Sequence, residues 1–225
     1  MYESLYFDFA RESLRYLIKT FGIKELHIPY YLCDVIRHTV VEEKCKPVFY
    51  HIDDNFIPCK NFSEDDYILY PNYFGICDRN VNALEKLYPK LIVDNAHAFY
   101  NSPQGFACFN SERKFLPVEN GSTLWIKNAE LSQVNYSQKP APPDRINQFR
   151  KFHEKYESIN CLNINLEYIN SPFCYPLLAS GIKEADKIVK ELVQEGKIIY
   201  RYWNPLPKNY NEYKFYSRLI PIPLD

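Results

Sequence analysis

The 225 residues carry 27 Lys and Arg against 28 Asp and Glu, a formal charge of −1, so neither nucleic acid nor an anionic membrane is indicated as a partner. With 46% hydrophobic and 24% charged residues, the chain is of a globular class, long enough to bury a large core, and a disordered or fibrous reading is excluded. The seven cysteines stand singly and the six glycines form neither a dinucleotide nor a P-loop cradle, so reduced thiols are expected and those two phosphate cradles and a zinc ribbon are not.

No apolar run approaches the roughly 20 residues that span a bilayer, and the N-terminus has no signal-type core, which makes the cytoplasm the expected location. In chain order, a helix is predicted from Asp8 to Phe21. Asp8 would cap it, Ala10, Leu14, Leu17, Ile18 and Phe21 share a face, and Gly22 suits the left-handed residue beyond its end. Leu26 to Ile28 reads as a strand, and Leu32, Val35, Ile36, Thr39 and Val40 repeat as a second helix. Pro47–Ile52 and Tyr67–Tyr70 are predicted strands with a turn at Asp53-Asp54-Asn55. A helix around Val81, Leu84 and Leu87 then precedes a strand at Leu91-Ile92-Val93, and Gly105 to Phe109 is the next strand. This alternation predicts an α/β fold, a mainly parallel sheet sandwiched by helices, with a small α+β C-terminal domain.

The expected division is a large domain over residues 1–137, a proline-rich linker at 138–143, and a connecting helix with the small domain over 144–225. Ile146, Phe149, Phe152, Tyr156 and Ile159 mark the connecting helix. Its basic residues Arg145, Arg150, Lys151 and Lys155 are interleaved with acids and read as a solvated face. A helix through Ile188, Val189, Leu192 and Val193, closed by Gly196, and a strand from Lys197 to Tyr202 complete the segment.

Chemistry concentrates between Leu91 and Gly121. Asp94 ends a strand, where ligands sit in open α/β sheets; His97 follows three residues later, and Lys114 lies beyond the next strand. Taken singly, Asp94-Asn95 suits a turn, His97 a structural histidine and Lys114 a solvated basic turn. Together they have the order of a pyridoxal-phosphate site, in which a carboxylate keeps the pyridine nitrogen protonated, an imidazole lies beside the ring and a lysine forms a Schiff base. Arg113 would help keep the Lys114 amine neutral.

Asp94-Asn-Ala-His97 with Asn110-Ser-Glu-Arg-Lys-Phe-Leu-Pro-Val-Glu-Asn-Gly121 resembles the DegT/DnrJ/EryC1/StrS family of pyridoxal-phosphate sugar aminotransferases, of the aspartate-aminotransferase fold type. Ala10-Arg-Glu-Ser-Leu14 and His27-Ile-Pro-Tyr-Tyr-Leu-Cys33 are similar to earlier family segments, so the likeness spans nearly the whole chain. The resemblance implies that Asp94 pairs with the pyridinium, His97 sits near the ring and Lys114 carries the cofactor and shuttles a proton. It also implies that Ser111, Arg11 and the start of the first helix hold the phosphate. Tyr31 is the expected ring-packing neighbour.

The implied substrates are a keto sugar, usually nucleotide-linked, and glutamate as amino donor, with a homodimer as the working assembly. Three departures stand beside this. Ala10 and Arg11 replace the glycine and small hydroxyl usual at the helix start, Glu119-Asn120-Gly121 follows the lysine early, and the region after Trp125 is short. These departures support a second reading, a non-catalytic relative that serves as a binding or assembly protein.

Overall fold

The structure, a computed structural model, describes residues 1–129 and 143–224. The proline-rich stretch predicted as a linker therefore lies outside the described residues except for Pro143, which opens a helix. The first part of the chain runs β1 (Tyr2–Phe7), α1 (Ala10–Thr20), β2 (Glu25–Pro29), α2 (Asp34–Glu42), β3 (Lys46–Tyr50) and β4 (Ile68–Pro71). It continues with α3 (Asp78–Leu87), β5 (Leu91–Asn95), β6 (Ala107–Asn110) and β7 (Ser122–Lys127).

These strands form one sheet in the order β1-β7-β6-β5-β4-β2-β3. β3, β2, β4, β5 and β6 are mutually parallel, and β7 runs against both β6 and β1. The expected α/β class with a mainly parallel sheet is the observed one. β1 and β7 were not foreseen. β1 is half-buried along its length, and its pairing with a strand more than a hundred residues away leaves no local signal.

Side-chain alternation sorts the sheet into two faces. Leu69, Ile92, Phe109 and Leu124 pack against Leu14, Leu17, Ile36 and Val40 of α1 and α2. Ile68, Tyr70, Leu91, Val93, Cys108 and Trp125 face the other way, toward Val81 and Leu84 of α3 and toward C-terminal residues such as Cys174 and Phe215. Leu87, expected on the buried face of α3, is 62% exposed. Asp8 does not cap α1; its backbone oxygen accepts from Gly121 N at 2.7 Å. The Glu12 carboxylate instead receives the Phe9 N–H at 3.2 Å, supplying the helix start from within its first turn. Gly22 takes the expected left-handed conformation, with φ of +59°.

The later segment comprises α4 (Pro143–Tyr156), β8 (Cys174–Leu178), α5 (Ile182–Gln194), α6 (Tyr213–Arg218) and β9 (Leu219–Pro223). β8 and β9 form a separate antiparallel pair. With α4 and α5 they enclose their own core around Phe149, Tyr175, Leu177, Ile188 and Ile222. The predicted strand at 197–202 is absent. Those residues join no ladder, and Ile198 and Tyr200 are about two-thirds exposed, at 66% and 65%. Apolar alternation there lacked a partner edge, and an isolated extended stretch gains no ladder hydrogen bonds.

Candidate active site

β2 and β5 pair in parallel with β4, and β6 with β5, so the carboxyl ends of β2, β5 and β6 lie along one end of the sheet. β1 is antiparallel to β7 and so points the same way, delivering the start of α1 to that end. The strand order also reverses at β2, which has β3 on one side and β4 on the other. A ligand crevice is expected at such a point.

A cavity of about 90 Å³ opens there, lined by Ala10 and Arg11 of α1, Cys33 after β2, Asp94 near the end of β5 and Ala96 just after it, and Ser111, Arg113 and Lys114 after β6. Four of the residues singled out from sequence, Asp94, Lys114, Ser111 and Arg11, are thus brought together from segments a hundred residues apart. Asp94 reaches the α1/α2 side because side chains alternate along β5: Ile92 faces α1 and α2, and Asp94 follows two residues later.

The charges in this cavity are poised. Asp94 is buried, and its Oδ1 accepts the Ala96 N–H at 2.9 Å. Burial raises its pKa, opposed by the Lys114 charge and that hydrogen bond. Lys114 ends a single 3-10 turn, Glu112–Lys114, and its Nζ stands over the Phe173 ring, 5.8 Å from the centroid. Its pKa is lowered first by burial; Asp94 and Cys33 oppose the shift, and Arg113 adds the smallest contribution. Arg113 therefore does act in the expected sense, but desolvation is the main cause.

His97 is placed differently from the other members. It is buried, and it does not line the cavity. Its ring stacks on Phe173 at 4.4 Å and 13°, and lies nearly parallel to Trp203 at 5.8 Å. Burial, then Lys114, push its pKa well below the usual range, so it is neutral, and Nε2 has no partner. Tyr31 does not line the cavity either. It is 1% exposed in the aromatic core, against Tyr73, Trp203 and Phe215, and its hydroxyl donates to Tyr202 O at 3.2 Å. The residue of that loop facing the cavity is Cys33. A large ring two positions from a strand end fills core more readily than it borders a polar cavity.

Sequence reasoning missed Phe173, which touches both His97 and the Lys114 amine, and the support behind it. Arg145 of α4 donates from Nε to Pro172 O at 2.7 Å and from a terminal nitrogen to Phe173 O at 2.6 Å, and its guanidinium lies over Phe115, 5.0 Å from the centroid. Arg145 is thus not part of a solvated face, whereas Arg150, Lys151 and Lys155 are exposed. Two aromatic residues near His97, Phe74 and Trp203, have positive φ of 54° and 64°. Each such conformation costs roughly 1–2 kcal/mol, so the surrounding packing must hold this frame in place.

Lys114 and Arg113 also border a larger cleft of about 660 Å³, shared with Arg145, Lys197, Tyr200 and Tyr202. Its described lining contains four basic side chains and no acid. Such a wall favours an anionic ligand with ring faces to stack on Tyr side chains.

No protein-family model matches the chain, and no curated protein matches it. Solved structures do match in fold. A DegT/DnrJ/EryC1/StrS aminotransferase from Brucella abortus superposes with a TM-score of 0.70 at 14% identity, over 98% of this chain and 80% of its own. The chain carries an aminotransferase fold. PseC of Helicobacter pylori, an aminotransferase involved in the biosynthesis of pseudoaminic acid, gives 0.69 at 14% identity, covering 98% of this chain and 81% of that one. Spr1654 of Streptococcus pneumoniae, assigned as a sugar aminotransferase and solved in its PLP form, gives 0.69 at 16% with the same coverages.

The donor set fits a pyridoxal-phosphate group. Asp94 is a buried carboxylate whose desolvation the Lys114 charge only partly offsets, Lys114 is an amine whose pKa burial lowers, and Arg11, Arg113 and Ser111 offer cations and a hydroxyl beside a helix start.

Proposed function

We propose that the chain is a pyridoxal-phosphate-dependent aminotransferase that moves an amino group, from glutamate, to a keto sugar, nucleotide-linked in its natural form. The observation that carries this reading is the shared cavity of Asp94, Lys114, Ser111 and Arg11, with Lys114 also bordering the cationic cleft. The sugar-related aminotransferases of the same fold support it. The role of each residue, the homodimer and the division at 138–143 belong to this proposal.

When bound, the cofactor supplies an electron sink for the carbon that loses its proton. Asp94 holds a proton on the pyridine nitrogen, because a buried carboxylate is stabilised by the cation it pairs with. Arg11, Ser111 and the opening of α1 hold the phosphate. Lys114 would hold the cofactor through its amine, and the same amine would serve as the group that takes up and returns a proton. Neutral His97, stacked on Phe173, backs the ring over which the Lys114 amine stands. Arg113, Arg145 and Lys197 provide the positive field for an anionic sugar, and Tyr200 and Tyr202 provide ring faces.

One observation favours the second reading, a non-catalytic relative. The 90 Å³ cavity is below the roughly 300 Å³ at which ligand pockets begin. Single-turnover transamination separates the two. Purified protein loaded with pyridoxal phosphate and given glutamate should form 2-oxoglutarate and the pyridoxamine form in equal amounts. Cofactor binding with no 2-oxoglutarate would favour the non-catalytic relative.

A further inference from the structure

The 90 Å³ cavity and the 660 Å³ cleft meet at two residues, Arg113 and Lys114, which are adjacent in the single turn Glu112–Lys114 and line both. The other basic side chains of the two walls are engaged. Arg11 lies over the Phe9 ring, 4.1 Å from the centroid. Arg145 spends Nε and both terminal nitrogens on the carbonyl oxygens of Pro172, Phe173 and Leu224, at 2.7, 2.6 and 3.5 Å. Lys197 Nζ stands over Phe152, 5.8 Å from the centroid. Arg113 is exposed and forms no hydrogen bond, ion pair or ring contact with any described residue.

The position of this free guanidinium decides what it can meet. The amine of an α-amino donor must reach the place held by the Lys114 amine, and the donor's carboxylate is bonded to the same carbon as that amine. A cation that takes the carboxylate must therefore border the Lys114 amine itself. In a nucleotide-linked sugar part of the ring separates the reacting carbonyl from the nearest phosphate, so cations farther along the cleft suit that group. Of the basic side chains lining the two cavities, Arg113 is the one whose charge acts on the Lys114 amine. Its planar fork matches the two oxygens of a carboxylate with two parallel bonds.

We infer that Arg113 is the specificity residue for the amino donor, holding the α-carboxylate of an α-amino acid at the junction of the two cavities and discriminating against amines that lack one. This rests on the aminotransferase reading above and assigns within it a residue that selects the donor. Arg145, Lys197 and the Tyr rings are left to the sugar substrate, which occupies the cleft in its turn.

The test is titration calorimetry of the cofactor-loaded chain with two amines. One is 2-methylglutamate, which has no α-hydrogen to lose; the other is 4-aminobutyrate, which keeps the amine and the distal carboxylate but has no α-carboxylate. The wild type should bind 2-methylglutamate about 10- to 100-fold more tightly, the weight of a hydrogen-bonded charge pair. Arg113→Gln should abolish that preference, and Arg113→Lys, which keeps the charge and loses the fork, should retain part of it. A preference that survives in Arg113→Gln overturns the inference, as does a wild type that binds the two amines equally or binds neither. An equal loss with both amines also overturns it, because Arg113 would then be acting on the cofactor or the distal carboxylate. Borohydride reduction of both proteins separates the two levels of the argument. If the wild type carries no pyridoxyl group on Lys114, the aminotransferase reading fails and this inference with it; if only Arg113→Gln lacks the group, Arg113 serves the cofactor and the donor assignment alone is wrong.

Discussion

Asp94→Asn should change the stability of the chain in opposite directions with and without pyridoxal phosphate. Asp94 is 8% exposed, and the hydrogen bond that its Oδ1 accepts from Ala96 N at 2.9 Å would be kept by an asparagine oxygen. The substitution thus removes a desolvated charge while leaving the shape and that bond intact, and the cofactor-free protein should gain about 1 kcal/mol. For a chain of this length that is a rise of about 2–4 °C in Tm.

The sign with pH follows from the raised pKa. Ionisation of Asp94 costs folding free energy as pH rises through its folded value, and it costs nothing where the carboxyl is protonated in both folded and unfolded chains. The advantage of the variant should therefore be present at pH 7 and vanish below about pH 4. With pyridoxal phosphate at a hundred times its dissociation constant, the wild type gains about 2.7 kcal/mol. Loss of one charge-assisted hydrogen bond weakens binding about a hundredfold, so at that concentration the variant gains only about 0.4 kcal/mol. The order of stability then reverses, with the wild type ahead by about 1 kcal/mol. Differential scanning fluorimetry at pH 7 and pH 4, with and without the cofactor, reads all four values. Equal cofactor-induced shifts in the two proteins would refute the pairing of Asp94 with the pyridine nitrogen.

Three further outcomes are expected. Gly75→Ala should destabilise the chain by about 3 kcal/mol or more in urea unfolding, because Gly75 has φ of +70° and a Cβ there would collide with the carbonyl oxygens of Ser171 and His97. Arg145→Ala should lose about 2–4 kcal/mol by leaving the Pro172 and Phe173 carbonyls without their donor, and limited proteolysis should then cut near residue 173; an unchanged unfolding midpoint would contradict the support assigned to Arg145. His97→Phe should keep the stack on Phe173 and change stability by less than about 1.5 kcal/mol, whereas His97→Ala should lose about 3 kcal/mol; an NMR titration of His97 with a midpoint near neutrality would contradict its neutral, buried state.

Much of the fold was legible because local signals agreed with it. Leu14, Leu17 and Ile18 repeat at helical spacing and all three are buried against the sheet, and the Leu91-Ile92-Val93 run became the fully buried central strand β5. What escaped depended on distant partners. β1 acquires its ladder from β7, while the 197–202 stretch, with similar alternation, found no edge to join. Within the site, Asp94 and Lys114 were readable because strand ends and residue chemistry point to them. Phe173 was not, since nothing near it in sequence reports that it will lie between His97 and Lys114. Tyr31 and Cys33 share one loop, and only packing decided that the ring would enter the core while the thiol faced the cavity.

The central claim is that the Lys114 amine anchors pyridoxal phosphate. Borohydride reduction of the cofactor-treated protein, followed by peptide mass spectrometry, should find one pyridoxyl group per chain, on Lys114, with none on the variant Lys114→Ala. Modification spread over surface lysines with Lys114 unmodified would contradict the account.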